Sequence, residues 1–466
     1  MQGTAVVVGA GPNGLAAAIT LARGGLQVTV LEAAGTIGGG TRSGELTVPG
    51  VLHDHCSSTH PLAAASPFLR SVDLQRLGVR WCLPEVDLAH PLDHGEPGVL
   101  VRAHDLAGVD ARRWRSVFGP LADGLDALAG DLLQPLVRIP RHPVRLARFG
   151  LRGLLPATVL ARRWRTEQAR ALFAGCAAHS FAPLTSPTTG AIALMLLAAG
   201  HRYGWPVAEG GSQTITTALA AALTELGGKI ETGVLVRSPA DLPRADVVML
   251  DLAPRAAADV LGDRLPARVA MAYRRWRHGP AAFKVSLAVE GGAPWRDESC
   301  RRAGFVHVGG SLADIARAEQ EVFAGRMTDR PFVLVAQQYL ADPSRSAGTV
   351  HPIDTYTHVP HDYPGDATDA ILAQLERFAP GLRERIVGQY VSTPGDLAAA
   401  NPNFVGGDIA SGANTPLQVV LRPRPTTRPY HTGVPGVYLC SAATPPGAGV
   451  HGMCGYNAAR TALRAL

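Results

Sequence analysis

The sequence predicts an α/β protein: a parallel-sheet domain built from separated parts of the chain, interrupted by a domain of mixed α+β structure. Three observations predict it. The first forty-two residues hold a strand, a glycine-rich turn, a helix and a second strand ending in an acid; a strand, glycine loop and helix recur at 436–466; and a third glycine loop, followed by a helix and two strands, lies at 210–250.

At the N-terminus, residues 5–8 read as a strand, Gly9-Ala10-Gly11-Pro12-Asn13-Gly14 is a GxGxxG turn, 15–23 reads as a helix, and 27–31 is a second strand closed by Glu32 and Ala33. Each part has a mechanical task. Gly9 permits the tight turn, Gly11 lets the backbone beside Pro12 and Asn13 approach a pyrophosphate at the helix N-terminus, and Gly14 lets the helix lie close on the strand. Glu32 is placed to accept hydrogen bonds from ribose hydroxyls. A lone GxGxxG says little, but inside a complete βαβ unit it predicts a bound dinucleotide.

Six residues after Glu32 a second cluster, Gly38-Gly39-Gly40-Thr41-Arg42-Ser43, adds glycines, a basic residue and hydroxyls. This layout resembles the amine oxidase and phytoene dehydrogenase superfamily of FAD enzymes, in which a paired-glycine motif with an arginine follows the acidic strand end. The chain departs from that pattern at Ala34, where the family often has a basic residue, which shifts the diphosphate contacts toward Arg42 and backbone amides. The resemblance implies FAD in a glutathione-reductase-like, FAD-binding Rossmann domain. It implies that Gly449, Val450 and Met453 of the C-terminal loop lie along the ribityl chain and pyrimidine edge of the flavin, and that the backbone near Val234 or Leu235 holds the adenine. Where many members carry Gly-Asp after the last strand, this chain has Ser441-Ala442-Ala443-Thr444, so Ser441 and Thr444 become the candidates for the ribityl hydroxyls. His53-Asp54-His55-Cys56-Ser57, residues 401–408 and Pro445-Pro446-Gly447 are similar to the bacterial phytoene dehydrogenase-related branch. The expected FAD-binding domain comprises 1–70, 200–256 and 425–466, with the substrate-binding domain at 71–199 and 257–424.

Composition agrees with an enzyme of this size, because 46% hydrophobic and 18% charged residues over 466 positions suffice for a large core. No run reaches the roughly 20 apolar residues of a membrane helix, and 191–200 reads as a buried helix. The N-terminal apolar run is taken up by the nucleotide strand, so a cytoplasmic protein is expected. The six cysteines form no CxxC pair, which argues against a disulfide framework, a zinc site or a dithiol centre; Cys454 reads as a core residue rather than a covalent flavin link. No metal site is expected. No second GxGxxG follows a strand, so electrons are expected to leave to oxygen, a quinone or another acceptor. A net charge of +6 reflects an arginine bias, and with 6% aromatic residues it does not indicate nucleic-acid binding. The segment 136–165 alternates eight arginines with Leu, Val, Phe and Trp. It reads as a solvated helical face at the entrance of the substrate domain, with a peripheral membrane contact as the alternative.

For catalysis the candidates are Lys284, His451 and His55. Lys284 interrupts an apolar strand, and two readings stay open: it is similar to the amine-oxidase lysine that holds a water beside flavin N5, or it is an edge-strand lysine reaching solvent. His451 follows the flavin loop, with a pKa suited to proton transfer, and His55 lies in a loop that in relatives passes near the flavin. His358, His361 and Asp362 read as a loop of the substrate domain. The expected reaction is hydride abstraction to flavin N5, desaturating or oxidising a C–C, C–N or C–OH bond of an apolar or medium-sized metabolite. Amine oxidation is the alternative among flavoenzymes; an aromatic pair facing the flavin would mark it, and sequence does not place Tyr356, Tyr363 or Phe404 there. A redox-neutral isomerase on reduced FAD, or a non-catalytic flavin-bound partner protein, is the alternative of another class.

Overall fold

The computed structural model describes residues 3–102, 106 and 108–466. Two sheets carry the architecture. Their strands are β1 (Thr4–Val8), β2 (Gln27–Glu32), β3 (Val86–His90), β4 (Gly98–Leu100), β5 (Lys229–Thr232), β6 (Val247–Leu250), β7 (Ala281–Glu290), β8 (Ala303–Val308), β9 (Val333–Ala336), β10 (Val350–Val359), β11 (Ile386–Ser392) and β12 (Val437–Leu439). The helices that bear on the site are α1 (Pro12–Arg23), α2 (Pro143–Gly153), α3 (Glu167–Ala178), α4 (Thr189–Tyr203), α5 (Gln213–Glu225), α6 (Pro254–Leu261), α7 (Ala267–Arg274) and α8 (Met453–Leu463).

The first sheet is wholly parallel, in the order β12-β6-β1-β2-β5, so its strands come from the beginning, middle and end of the chain. Strand periodicity explains its two covered faces. Ala5, Val7 and Met249 join Leu15, Ile19, Leu219 and Ala458 of α1, α5 and α8 in one core, while Val6, Val8, Val248 and Leu250 join Ala257, Leu261, Val269 and Tyr273 of α6 and α7 in another. The layer on that second face therefore runs past residue 256 to Tyr273. Helix α8 lies directly on α1, for a Cβ at Gly455 would stand 1.8 Å from the Asn13 carbonyl oxygen.

The second sheet has seven strands in the order β11-β7-β10-β9-β8-β3-β4, antiparallel except where β8 meets β3. Strand β7 lies inside it, between β11 and β10, so Lys284 is not on an edge and is only 4% exposed. The edge-strand reading of Lys284 is thereby corrected. His358 likewise belongs to β10 rather than to a loop, because it pairs in register with Ala282; its ring is buried and meets the Glu319 carboxylate at 2.8 Å. The helices α3 and α4 pack beside this sheet around Trp114, Trp164, Phe173 and Leu197.

Candidate cofactor and substrate site

The nucleotide turn is built by close approach. Gly9 adopts φ +105°, and a Cβ there would lie 3.1 Å from the Asp251 backbone oxygen, while a Cβ at Gly14 would stand 1.9 Å from the Gly9 carbonyl oxygen. Only glycine lets α1 start this close to β1. Pro12 opens the helix behind an extended Gly11 with no side-chain cap and no acid in the first turn, so that helix end is left favourable to an anion. The Glu32 carboxylate accepts from the Ala10 amide (2.8 Å) and the Ala34 amide (2.9 Å), with the Arg42 guanidinium 3.8 Å away. At position 34 the backbone N–H is thus engaged with Glu32, while Arg42 supplies a basic side chain beside that acid. Gly39 faces Gly11 across the site, a Cβ there meeting the Gly11 Cα at 3.3 Å.

These elements open onto a cavity of about 880 Å³. One end is lined by Gly9, Gly11, Pro12, Asn13, Glu32, Ala33, Gly39, Gly40, Thr41, Arg42, Val234 and Leu235, and by Ser441, Gly449 and Val450. Gly14, Thr444 and Met453 stand behind the wall: Gly14 packs α1 on β1, the Thr444 hydroxyl donates to the Ser441 carbonyl at 2.7 Å, and buried Met453 opens α8. Three buried polar atoms of the lining, Asn13 Oδ1, Arg42 Nε and Ser441 Oγ, have no hydrogen-bond partner among the described residues. Buried polar atoms are normally paired, so a polar, elongated ligand running from the α1 end toward Ser441 fits this set of donors and acceptors.

The other end of the cavity is an apolar chamber. Phe181, Phe305, Tyr356 and Phe404 contribute rings, and α4 contributes Ile192, Met195 and Leu196. Tyr363 is not among the lining residues. His179 is the imidazole of this wall; its Nε2 lies 3.0 Å from His307 Nε2, and burial pulls its pKa down to about 3, so the two neutral rings share one proton between those nitrogens. Arg422, 3% exposed, donates to the carbonyls of Gln418 (3.1 Å) and Ala442 (3.2 Å) and to Asn414 Oδ1 (3.0 Å), and its guanidinium abuts Gly447. Among the described residues no carboxylate lies within ion-pair distance of it, and burial lowers its pKa. It is a buried cation whose charge the fold leaves available to the cavity. Asp251, also in the lining, accepts from the Gly14 amide at 2.9 Å; burial raises its pKa to about 7, against the lowering effect of that hydrogen bond.

None of the three catalytic candidates is among the lining residues. His451 Nδ1 accepts from the Met453 amide (3.1 Å) at the start of α8, and burial lowers its pKa to about 4. Lys284 lies behind Cys56: its ammonium meets Asp354 at 3.0 Å and donates to the Asp54 carbonyl. Asp354 further accepts from Ser286 (2.6 Å), Gln338 (2.7 Å) and the Asp54 amide (3.1 Å) and pairs with His53 (3.0 Å), while the Asp54 carboxylate holds fully buried Arg345 at 2.6 Å. His55, between Asp54 and the lining residue Cys56, has its pKa lowered by burial, then by Lys284 and Arg42. Sequence reasoning missed Asp251, His179, Met195 and Arg422; the spacing of Ile192, Met195 and Leu196 marks a helix face without saying whether it meets core or cavity.

A dinucleotide turn, an acid at the second strand end and the glycine loop before the C-terminal helix, all on one cavity that continues into an apolar chamber, are the site of an oxidoreductase with a Rossmann nucleotide-binding half. Residues 7–72 match the family model for the NAD(P)-binding Rossmann-like domain. Pyridine nucleotide-disulfide oxidoreductase domain-containing protein 2 of Rattus norvegicus is 25% identical, with 99% of this chain and 93% of that protein covered. Phytoene desaturase (lycopene-forming) of Pseudescherichia vulneris is 25% identical over 57% of each chain. A putrescine oxidase bound to putrescine has the same fold, with a TM-score of 0.61 at 20% identity over 100% of this chain and 98% of that one. The chain is thus similar in sequence to curated oxidoreductases, a phytoene desaturase among them, and shares its fold with an amine oxidase.

Proposed function

We propose that the protein is an FAD-dependent oxidoreductase that removes hydride from a C–H bond of an apolar or medium-sized metabolite. The observation that carries this reading is the single cavity in which the dinucleotide turn, Ser441 and Gly449 run on into the chamber of Phe181, Ile192, Met195, Leu196, Phe305 and Tyr356. Gly11 and the open N-terminus of α1, with Arg42, would hold the diphosphate; Glu32 the adenosine ribose; Val234 and Leu235 the adenine; and Ser441 the ribityl hydroxyls. Bound there, FAD supplies a two-electron acceptor for hydride. Arg422 and the N-terminal end of α8 would favour negative charge on a group held at the neighbouring wall. The chamber excludes water and orients an apolar substrate, with His179 as its polar contact.

The testing experiment is the visible spectrum of the purified protein, recorded without oxygen during addition of amines, alcohols, and isoprenoid or fatty acyl lipids. A flavin spectrum that one class bleaches supports oxidative chemistry on that class. Turnover that requires prior reduction of the flavin assigns a redox-neutral isomerase instead, and a protein purified without flavin refutes the reading.

A further inference from the structure

Exposed large apolar side chains are scattered singly over most of this protein, as on any soluble surface. The stretch from 137 to 159 differs, because it holds 7 of the 17 that the described residues expose, including Ile139 (91%), Leu151 (77%), Val144 (64%) and Leu154 (61%). The geometry of α2 organises them. Its inner face, Leu146, Phe149 and Gly153, packs on α4, where a Cβ at Gly153 would touch Ala191. Val144, Ala147, Leu151 and Leu154, spaced three and four residues apart, form a second apolar stripe turned to the outside. A helix with one apolar face satisfies its own core; this one has an apolar face left over.

The charge around that stripe has one sign. Between Asp131 and Glu167 the sequence has eight arginines and no acid. Arg138 is spent on Asp131 at 2.8 Å, but among the described residues no carboxylate lies within ion-pair distance of Arg141, Arg145, Arg148, Arg152, Arg162 or Arg163. Apolar side chains flanked by unpaired guanidinium groups complement one kind of surface, an anionic bilayer, in which acyl chains receive the former and phosphates the latter. Nucleic acid would match the charge and leave Ile139, Leu151 and Leu154 in water.

We propose that residues 137–163 dock this protein on an anionic membrane surface, with Ile139, Val144, Leu151 and Leu154 inserted at the acyl boundary and the arginines on lipid phosphates. Helix α4 lies directly beneath and carries Ile192, Met195 and Leu196 to the chamber wall, so the docked face is one helix away from the cavity.

The test is co-sedimentation of the purified full chain with vesicles of phosphatidylcholine alone, or of equal parts phosphatidylcholine and phosphatidylglycerol. Binding to the anionic vesicles, weakening with salt, is expected. Ile139→Asp/Leu151→Asp abolishes it. Arg141→Ser/Arg148→Ser weakens it at least 10-fold, from about 5-fold per basic residue. Val387→Asp, exposed on β11, changes nothing and controls for added acid. All four altered side chains of the test variants are exposed, so their melting temperatures and bound nucleotide stay at the wild-type level. Absence of anionic-vesicle binding, or binding that survives both double substitutions, overturns the proposal. So does a concentration-dependent oligomer that Leu151→Asp dissociates, which would make the stripe a contact between copies of the chain.

Discussion

Lys284→Met separates a structural from a catalytic role for the lysine within β7. The substitution keeps most of the side-chain volume and deletes the ammonium, so Asp354 loses a 3.0 Å partner and the Asp54 carbonyl loses its donor. Removing one member of a buried ion pair costs about 3–5 kcal/mol. The low end, about 3 kcal/mol, is expected here, because Asp354 keeps Ser286, Gln338, His53 and the Asp54 amide. The pH dependence follows from the same contacts. Burial pushes the Asp354 carboxyl up, but Lys284, His53 and Ser286 outweigh it and hold the group well below the usual carboxylate range. Its stabilising contribution is therefore present above about pH 4 and is lost as pH falls through the depressed folded value. Lys284→Met brings acid unfolding to higher pH. The assay is denaturant unfolding of the nucleotide-free protein at neutral and acid pH, paired with stopped-flow reoxidation of the reduced, loaded protein. The double variant Lys284→Met/Asp354→Asn should lose less than the sum of the singles, by about 1–3 kcal/mol. Stability within about 0.5 kcal/mol of wild type, together with a collapse of reoxidation, would refute the structural assignment.

Four further outcomes follow from the site. Gly14→Ala places a Cβ 1.9 Å from the Gly9 carbonyl oxygen and is expected to yield protein without bound nucleotide, checked by chromatography of the heat-released ligand. In the flavin-loaded protein Arg422→Met removes the buried cation beside Gly447. Losing a charged hydrogen-bonding group at about 1.5–3 kcal/mol makes the two-electron potential about 30–60 mV more negative, and an unchanged potential would place that charge out of reach of the flavin. Asp251, with its pKa raised to about 7, stabilises the fold in its protonated form, a contribution present below about pH 4 and lost as pH rises through 7. Asp251→Asn should accordingly be more stable than wild type at pH 8, by up to about 4 kcal/mol, with the difference shrinking toward pH 4 in thermal melts. Met195→Trp fills the apolar chamber and should raise KM or abolish turnover, with nucleotide content unchanged.

The nucleotide half was legible because its signals are local. GxGxxG, the acid at Glu32 and the glycines at 38–40 are short patterns in which each residue's task follows from backbone geometry, and the structure puts Gly11, Glu32, Gly39 and Ser441 on one cavity. The chamber was not legible, because lining it is a property of tertiary position. Ile192, Met195 and Leu196 have the spacing of any buried helix face, and Arg422 is one arginine among many until its burial without a carboxylate is seen. Lys284 shows a different limit of local pattern. Of the two readings open for a lysine in an apolar strand, the edge fails because the strand is central; the lysine's partners come from residues 54 and 354, which strand pattern does not bring together.

The parallel sheet has a consequence for how the chain acquires its structure. Strands β1 and β2 and helix α1 are made first, yet β6 inserts beside β1 only after residue 250, and α8 covers α1 only after residue 463. Until then Ala16, Ala17 and Ile19 have no lid on that side, and the N-terminal unit emerges from synthesis as an apolar surface awaiting a partner more than 400 residues away. Shortening the chain by its last helix would thus strip the first helix rather than trim an end, and a dinucleotide bound between β1 and the loop before α8 would favour the closed arrangement by mass action.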